Sequence, residues 1–153
     1  MIKNLSERFD NKLIIINKDI LKYDLNLLSD RELIIFGNLP YNISSQILIN
    51  LINYSSSKFS YKKLVLMFQK EVAERICEPP GSKKYGILSV LSQLYYKTEY
   101  LFSVPPGVFN PPPKVDSAVI QMTRKEQLNL DCDEALLKKI VKRFQKEVDL
   151  KLN

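Results

Sequence analysis

An apolar run, Leu33-Ile34-Ile35-Phe36-Gly37, stops at Asn38-Leu39-Pro40-Tyr41 and continues as Asn42-Ile43-Ser44-Ser45. A run of this length ended by Gly and Pro predicts a buried strand entering a tight loop, with a helix starting near Ser44, where Ser44 or Ser45 would be the N-cap. The loop then lies at the carboxyl end of its strand, the edge at which open α/β sheets bind ligands. Its residues combine an amide that donates and accepts, a proline that fixes the backbone and an aromatic face. Such a set can hold a planar base carrying an exocyclic amine. A plain strand-to-helix turn with an Asn cap uses the same residues, and four residues do not separate the two readings.

The chemistry that the first reading suggests is methyl transfer to a nucleobase amine. The amino lone pair of adenine is delocalised into the ring and is a poor nucleophile. If the Asn38 side-chain oxygen and a backbone carbonyl at Leu39 or Pro40 accept its two N–H bonds, they favour the pyramidal nitrogen that can attack a sulfonium methyl. The proton leaves afterwards, so catalysis is positioning plus stabilisation of developing positive charge, with Tyr41 stacking on the base.

The remaining chain predicts alternating strands and helices. Lys12–Asn17 reads as a buried strand ending at Asp19-Ile20, where Asp19 either accepts from an adenine amine or ribose hydroxyl or caps a turn. Ile47, Leu48, Leu51 and Ile52 fall at helical spacing. Lys63–Gln69 is a third apolar strand running into a helix at Lys70–Ile76. Pro79–Lys84 is an exposed turn whose Lys83 and Lys84 either meet phosphates or are simply solvated. Gly86–Tyr95 suits a buried helix, and Tyr100–Val104 and Ser117–Met122 suit strands. Between those strands, Pro105–Asp116 is too proline-rich for helix or central strand, and it presents Phe109. Asp133 opens an amphipathic helix with Lys138, Lys139, Lys142, Arg143 and Lys146 on one face, either a phosphate-tracking surface or a solvated one.

The absence of histidine removes His-based triads, His general bases and most zinc sites, and no metal site is expected. Cys77 and Cys132 read as reduced and structural. None of the four glycines forms a Gly-x-Gly pair, so the chain carries no Gly-rich nucleotide loop. A net charge of +6 is compatible with a polyanionic partner without requiring one. No apolar run reaches a membrane span and no signal-peptide pattern opens the chain, which reads as cytoplasmic.

Three stretches occur in order: Phe36–Ser45; Gln69–Ile76 with Ser82–Val90; and Val108–Val119. Together they resemble the KsgA-type rRNA adenine N6,N6-dimethyltransferase family from about Asn4 to Lys125. The resemblance implies a Rossmann-like α/β domain that binds S-adenosylmethionine and dimethylates two adjacent adenosines of small-subunit rRNA during ribosome assembly. It implies that Asn38, Leu39, Pro40 and Tyr41 grip the target amine, with Asn38 also touching the methyl donor. Phe109 then closes on the base opposite Tyr41, Asp19 beside Ile20 reads the cofactor adenine, and Lys114 belongs to the loop that shapes the pocket.

The family's first two strands, its Glu-x-Gly-x-Gly-type loop and its C-terminal helical domain have no counterpart here. The expectation is therefore a partial fold, with residues 1–125 forming the later part of the catalytic domain and 126–153 a linker and the start of a basic helical region. Most of the cofactor loop would be missing, and methyl transfer by this chain alone would be negligible. The alternative is a non-catalytic remnant docking on rRNA or an immature small subunit through Lys83, Lys84, Lys114 and the basic face at Lys138–Lys146. Its oligomeric state is left open.

Overall fold

The structure, a computed structural model, describes residues 13–27, 32–55 and 61–126, together with Leu136, Lys139, Ile140 and Arg143. Its strands are β1 (Leu33–Asn38), β2 (Tyr61–Gln69), β3 (Tyr96–Val104) and β4 (Ser117–Arg124). Its helices are α1 (Ser44–Ser55), α2 (Lys70–Cys77) and α3 (Ile87–Tyr95). The strands form one mixed sheet in the order β1-β2-β4-β3. The β1–β2 pair is parallel, and β4 runs antiparallel to both β2 and β3. The expected α/β class is what the chain adopts.

Alternation along β2 places Leu64, Leu66 and Phe68 on one face, each fully buried. Register sets them directly opposite Met122, Ile120 and Ala118 of β4. Burying each large side chain in this row contributes about 1.5–3 kcal/mol. Ile47, Leu48, Leu51 and Ile52 of α1, Ala73 and Ile76 of α2 and Leu91 of α3 complete the same core. Helix α2 carries Glu71 in its first turn and Arg75 in its last, matching the helix dipole. Its C-terminal carbonyls are satisfied from α3, because the Gln93 side-chain amide donates to Ile76 O at 3.0 Å and Glu78 O at 2.7 Å.

Two expectations of buried strands need correction. Residues 13–17 form no strand, and Leu13, Ile14 and Ile16 are exposed, Ile14 at 87%. The segment takes no part in the sheet pairings, so no ladder holds it extended, and core packing begins further on, through Leu21, Tyr23 and Leu25. β1 is a strand but lies at the sheet's edge, with Ile34 and Phe36 exposed at 54% and 76%. Only its Leu33 and Ile35 row packs on the core. The N-cap expectation also changes, since a short 3-10 turn at Tyr41–Ile43 precedes α1. The Ser44 hydroxyl donates back to Tyr41 O instead of accepting a backbone N–H.

Candidate active site

Topology brings three chain segments to one edge of the sheet. β1 and β2 are parallel and end there together, with Asn38 paired to Met67. β4 starts at the same edge because it is antiparallel to β2, with Ser117 opposite Gln69. β3 finishes beside it, Val104 against Ser117. The loop after β1, the start of α2 and the proline-rich segment 105–116 therefore converge.

Each segment is fixed locally. Asn38 ends β1 with its side chain exposed, and Leu39 packs on the core. Pro40 has φ −60° and ψ 125°, and its carbonyl accepts the Ile43 amide at 3.2 Å to start the 3-10 turn. Tyr41 is half-buried, and its hydroxyl is hydrogen-bonded to the Ser117 hydroxyl. That contact ties the Asn38–Tyr41 loop to the end of the proline-rich segment, 76 residues away in sequence. The proline-rich segment is tied to α2 as well, through the Lys70 amide donating to Asp116 O at 2.9 Å. A cavity of about 350 Å³ lies between Gln69, Lys70, Glu71 and Glu74 on one side and Val115 and Asp116 on the other. Within the segment, a short 3-10 turn at Pro106–Val108 leads to half-buried Phe109, whose amide donates to Pro106 O at 3.1 Å.

Asp19 is held in a local turn. One of its carboxylate oxygens accepts the Leu21 amide at 2.9 Å, and its carbonyl accepts the Lys22 amide. The turn-capping role weighed from sequence is thus taken by one carboxylate oxygen. Ile20 follows it, exposed, beside a cavity of about 150 Å³ bounded by Ile16, Lys18, Tyr23 and Leu25.

Lys83 and Lys84 are exposed on the loop after α2, and Lys114 is exposed in the proline-rich segment. Lys84 is ion-paired to Glu74 at 2.8 Å. The hydrogen bond holds the Glu74 carboxyl below the usual range and raises the Lys84 ammonium above its own. Lys139 and Arg143 are helical and exposed, as are Leu136 and Ile140; Lys138 and Lys142 lie outside the described residues. Among the described residues no group of three His, Cys, Asp or Glu could hold a metal ion, and no helix is long and apolar enough to cross a membrane.

Sequence reading missed Ser117 as the partner of Tyr41. The serine was visible only as the first residue of a strand, and its role follows from the antiparallel register that sets it against Gln69. It also missed the α2 side chains Glu71, Glu74 and Arg75, which face the loops rather than the core.

A family model described as ribosomal RNA adenine dimethylase matches residues 1–153. The ribosomal RNA small subunit methyltransferase A of Flavobacterium johnsoniae is 53% identical over 129 residues, covering 84% of this chain and 48% of the relative. That of Parabacteroides distasonis is 51% identical over 139 residues, covering 90% and 51%. Among solved structures, a dimethyladenosine transferase from Plasmodium falciparum superposes with a TM-score of 0.69 at 32% identity, over 82% of this chain and 43% of that one. The 23S rRNA methyltransferase ErmE gives a TM-score of 0.69 at 22% identity over 97% of this chain and 55% of that one, a likeness of fold. The chain spans about half the length of the curated relatives it matches. With a family model matched along its whole length and relatives half identical in sequence, the chain belongs to the ribosomal RNA adenine dimethylase family.

Proposed function

We propose that this chain supplies the target-base side of a site that transfers methyl groups from S-adenosylmethionine to adenine N6 in small-subunit rRNA. The observation that carries the reading is the convergence of Asn38–Tyr41 with the Phe109 segment at one sheet edge, tied by the Tyr41–Ser117 hydrogen bond. In this reading Tyr41 and Phe109, both half-buried, supply the aromatic faces on which a base extruded from its stack would lie.

The Asn38 side-chain oxygen accepts one N–H of the target amine. Pro40's carbonyl already accepts the Ile43 amide, so the Leu39 carbonyl is the favoured backbone acceptor for the other. Two acceptors at fixed positions draw the nitrogen out of conjugation and stabilise the charge that develops on it. Tyr41 and Phe109 hold the ring plane. S-adenosylmethionine supplies the electrophilic methyl group. Of this chain's residues, Asn38 and the second oxygen of Asp19 suit its contacts chemically, as an exposed amide and a carboxylate with one oxygen left over. Lys83, Lys84, Lys114, Lys139 and Arg143 are the exposed cations suited to rRNA phosphates.

The test is calorimetric titration of S-adenosylmethionine into the 153-residue chain, followed by transfer of labelled methyl groups to immature small subunits. Saturable binding lost in Asp19→Ala, with methyl transfer lost in Asn38→Ala, is the expected pattern. The rate is expected to be low because the chain is about half the relatives' length. A folded chain that neither binds S-adenosylmethionine nor transfers methyl groups overturns this reading and leaves non-catalytic docking on rRNA.

A further inference from the structure

On the helix side of the Asn38–Tyr41 loop lies a cavity of about 630 Å³ that the target-amine chemistry does not use. Asn42 and Ser45 form one wall, Glu71 and Arg75 of α2 another, and residues 83–88 the third. We propose that it is a second nucleotide pocket, taking the base and phosphate of a nucleotide neighbouring the target in single-stranded RNA. The proposal rests on the target-base reading above, because Asn42 directly follows Tyr41 and continues the chain from one site into the other.

The walls are built rather than loose. The Ser89 hydroxyl accepts the Gly86 amide at 3.0 Å and donates to Arg75 O, pinning the loop to α2. The Tyr85 amide donates to Ser82 O at 3.2 Å, and the Lys84 amide to the Ser82 hydroxyl at 3.1 Å. The Lys84–Glu74 ion pair anchors the same loop from outside. A preformed cavity of this size falls within the range of roughly 300–1,000 Å³ typical of small-ligand sites.

The lining also suits a nucleotide. Tyr85 is half-buried in the wall, with Ile87 and Leu88 beside it, so a flat ring has an aromatic face and apolar neighbours to lie on. The charges balance in pairs, Arg75 with Glu71 at 2.9 Å and Lys84 with Glu74. Lys83 has no partner among the described residues, which leaves the cavity one positive charge in excess. In the Glu71 pair Arg75 uses one terminal nitrogen, so the rest of its guanidinium fork is available to a phosphate. An apolar ligand would leave that fork and Lys83 unmatched, whereas a nucleoside monophosphate uses the ring surface and both cations.

The test follows backbone amides of the 153-residue chain by NMR while AMP, adenosine and inorganic phosphate are titrated separately. AMP should saturably shift Ser45, Tyr85, Gly86 and Ile87, and adenosine should shift the same set about tenfold more weakly. Tyr85→Ala should weaken AMP about tenfold or more, with Tyr85→Phe retaining it. Lys83→Gln should weaken AMP and leave adenosine unchanged. Inorganic phosphate binding as well as AMP, with Tyr85→Ala without effect, overturns the pocket in favour of a bare anion site. Shifts confined to Asn38–Tyr41 and Phe109 overturn the second pocket while supporting the target-base site, and no shifts at either place overturn both.

Discussion

Gly37 is the position where the sheet and the candidate site press hardest on each other, and Gly37→Ala measures by how much. A Cβ there would sit 2.8 Å from Leu39 Cδ2 and 2.8 Å from Leu66 Cδ2. Carbon atoms prefer about 3.5–4.0 Å, so each contact is too close by roughly 0.7–1.2 Å. Leu66 is fully buried and paired against Ile120, and has nowhere to swing. Leu39 is only half-buried and its side-chain end has more room to yield, so the Leu66 contact sets the cost. Over-packing of this kind costs about 1–3 kcal/mol. Gly37 has no left-handed φ, so alanine recovers about 0.4–1 kcal/mol by restricting the unfolded chain. At the midpoints of these ranges the net expectation is a loss of about 1.3 kcal/mol, or roughly 3–5 °C in Tm for a chain of this size. Thermal and urea unfolding followed by circular dichroism would read it. The cause is isolated by a cycle with Leu66→Ala, which alone costs about 2–5 kcal/mol. In the double variant the new methyl partly fills the vacated space, giving a favourable coupling on the order of 1 kcal/mol. An unchanged or raised Tm for Gly37→Ala, or strict additivity in the cycle, refutes the reasoning.

The Tyr41–Ser117 hydrogen bond is expected to be asymmetric in its loss. Ser117 is fully buried, so Tyr41→Phe strands a buried hydroxyl and should cost about 1–3 kcal/mol, whereas Ser117→Ala removes the partner of the less buried Tyr41 and should cost about 0.5–1.5 kcal/mol. Urea unfolding of both variants checks the order, and a larger loss for Ser117→Ala would contradict it. For the Glu74–Lys84 pair, the lowered carboxyl pKa, due first to the Lys84 hydrogen bond, means a contribution present above the ordinary carboxyl pKa of 4.5 and lost as pH falls through the depressed value. The raised Lys84 pKa means that its part is present below 10.5 and lost as pH rises through the elevated value. An NMR titration of the Glu74 carboxyl should move up toward its ordinary pKa in Lys84→Met, and an unmoved midpoint would show that the pair does not set it.

How much was legible depended on whether a property is local or belongs to the sheet. The Asn38–Tyr41 turn, the exposed Pro79–Lys84 loop and the amphipathic helix starting at Ser44 were readable because glycine, proline and apolar spacing act within a few residues. The β2 strand was readable too, since its apolar run is paired on both sides and buries Leu64, Leu66 and Phe68. Leu33–Gly37 and Lys12–Asn17 look equally buried in sequence. The exposure of Leu13, Ile14, Ile16, Ile34 and Phe36 depends on which strands flank them, and hydrophobicity alone carries no such information. Ser117 and Arg75 escaped for the same reason, because a serine opening a strand and an arginine closing a helix acquire a site only through register and helix packing.

That distinction also divides the candidate site into two halves of unequal support. On the base side, Leu39 packs on the core, Pro40 and Ile43 close a 3-10 turn, and Ser44 returns to Tyr41 O. Tyr41 is then tied to β4, whose own preceding residue, Asp116, is bonded to the first amide of α2. Each anchor lies on an element of the buried sheet or its helices, so Asn38 keeps its place even though its strand is paired on one side. Asp19, proposed for the methyl donor, is positioned by a local turn that follows segment 13–17, and packing on the core begins at Leu21. Positioning within about an ångström decides whether acceptors stabilise a transition state or merely bind. By that measure the base side of the proposed site is held by more anchors among the described residues than Asp19 is.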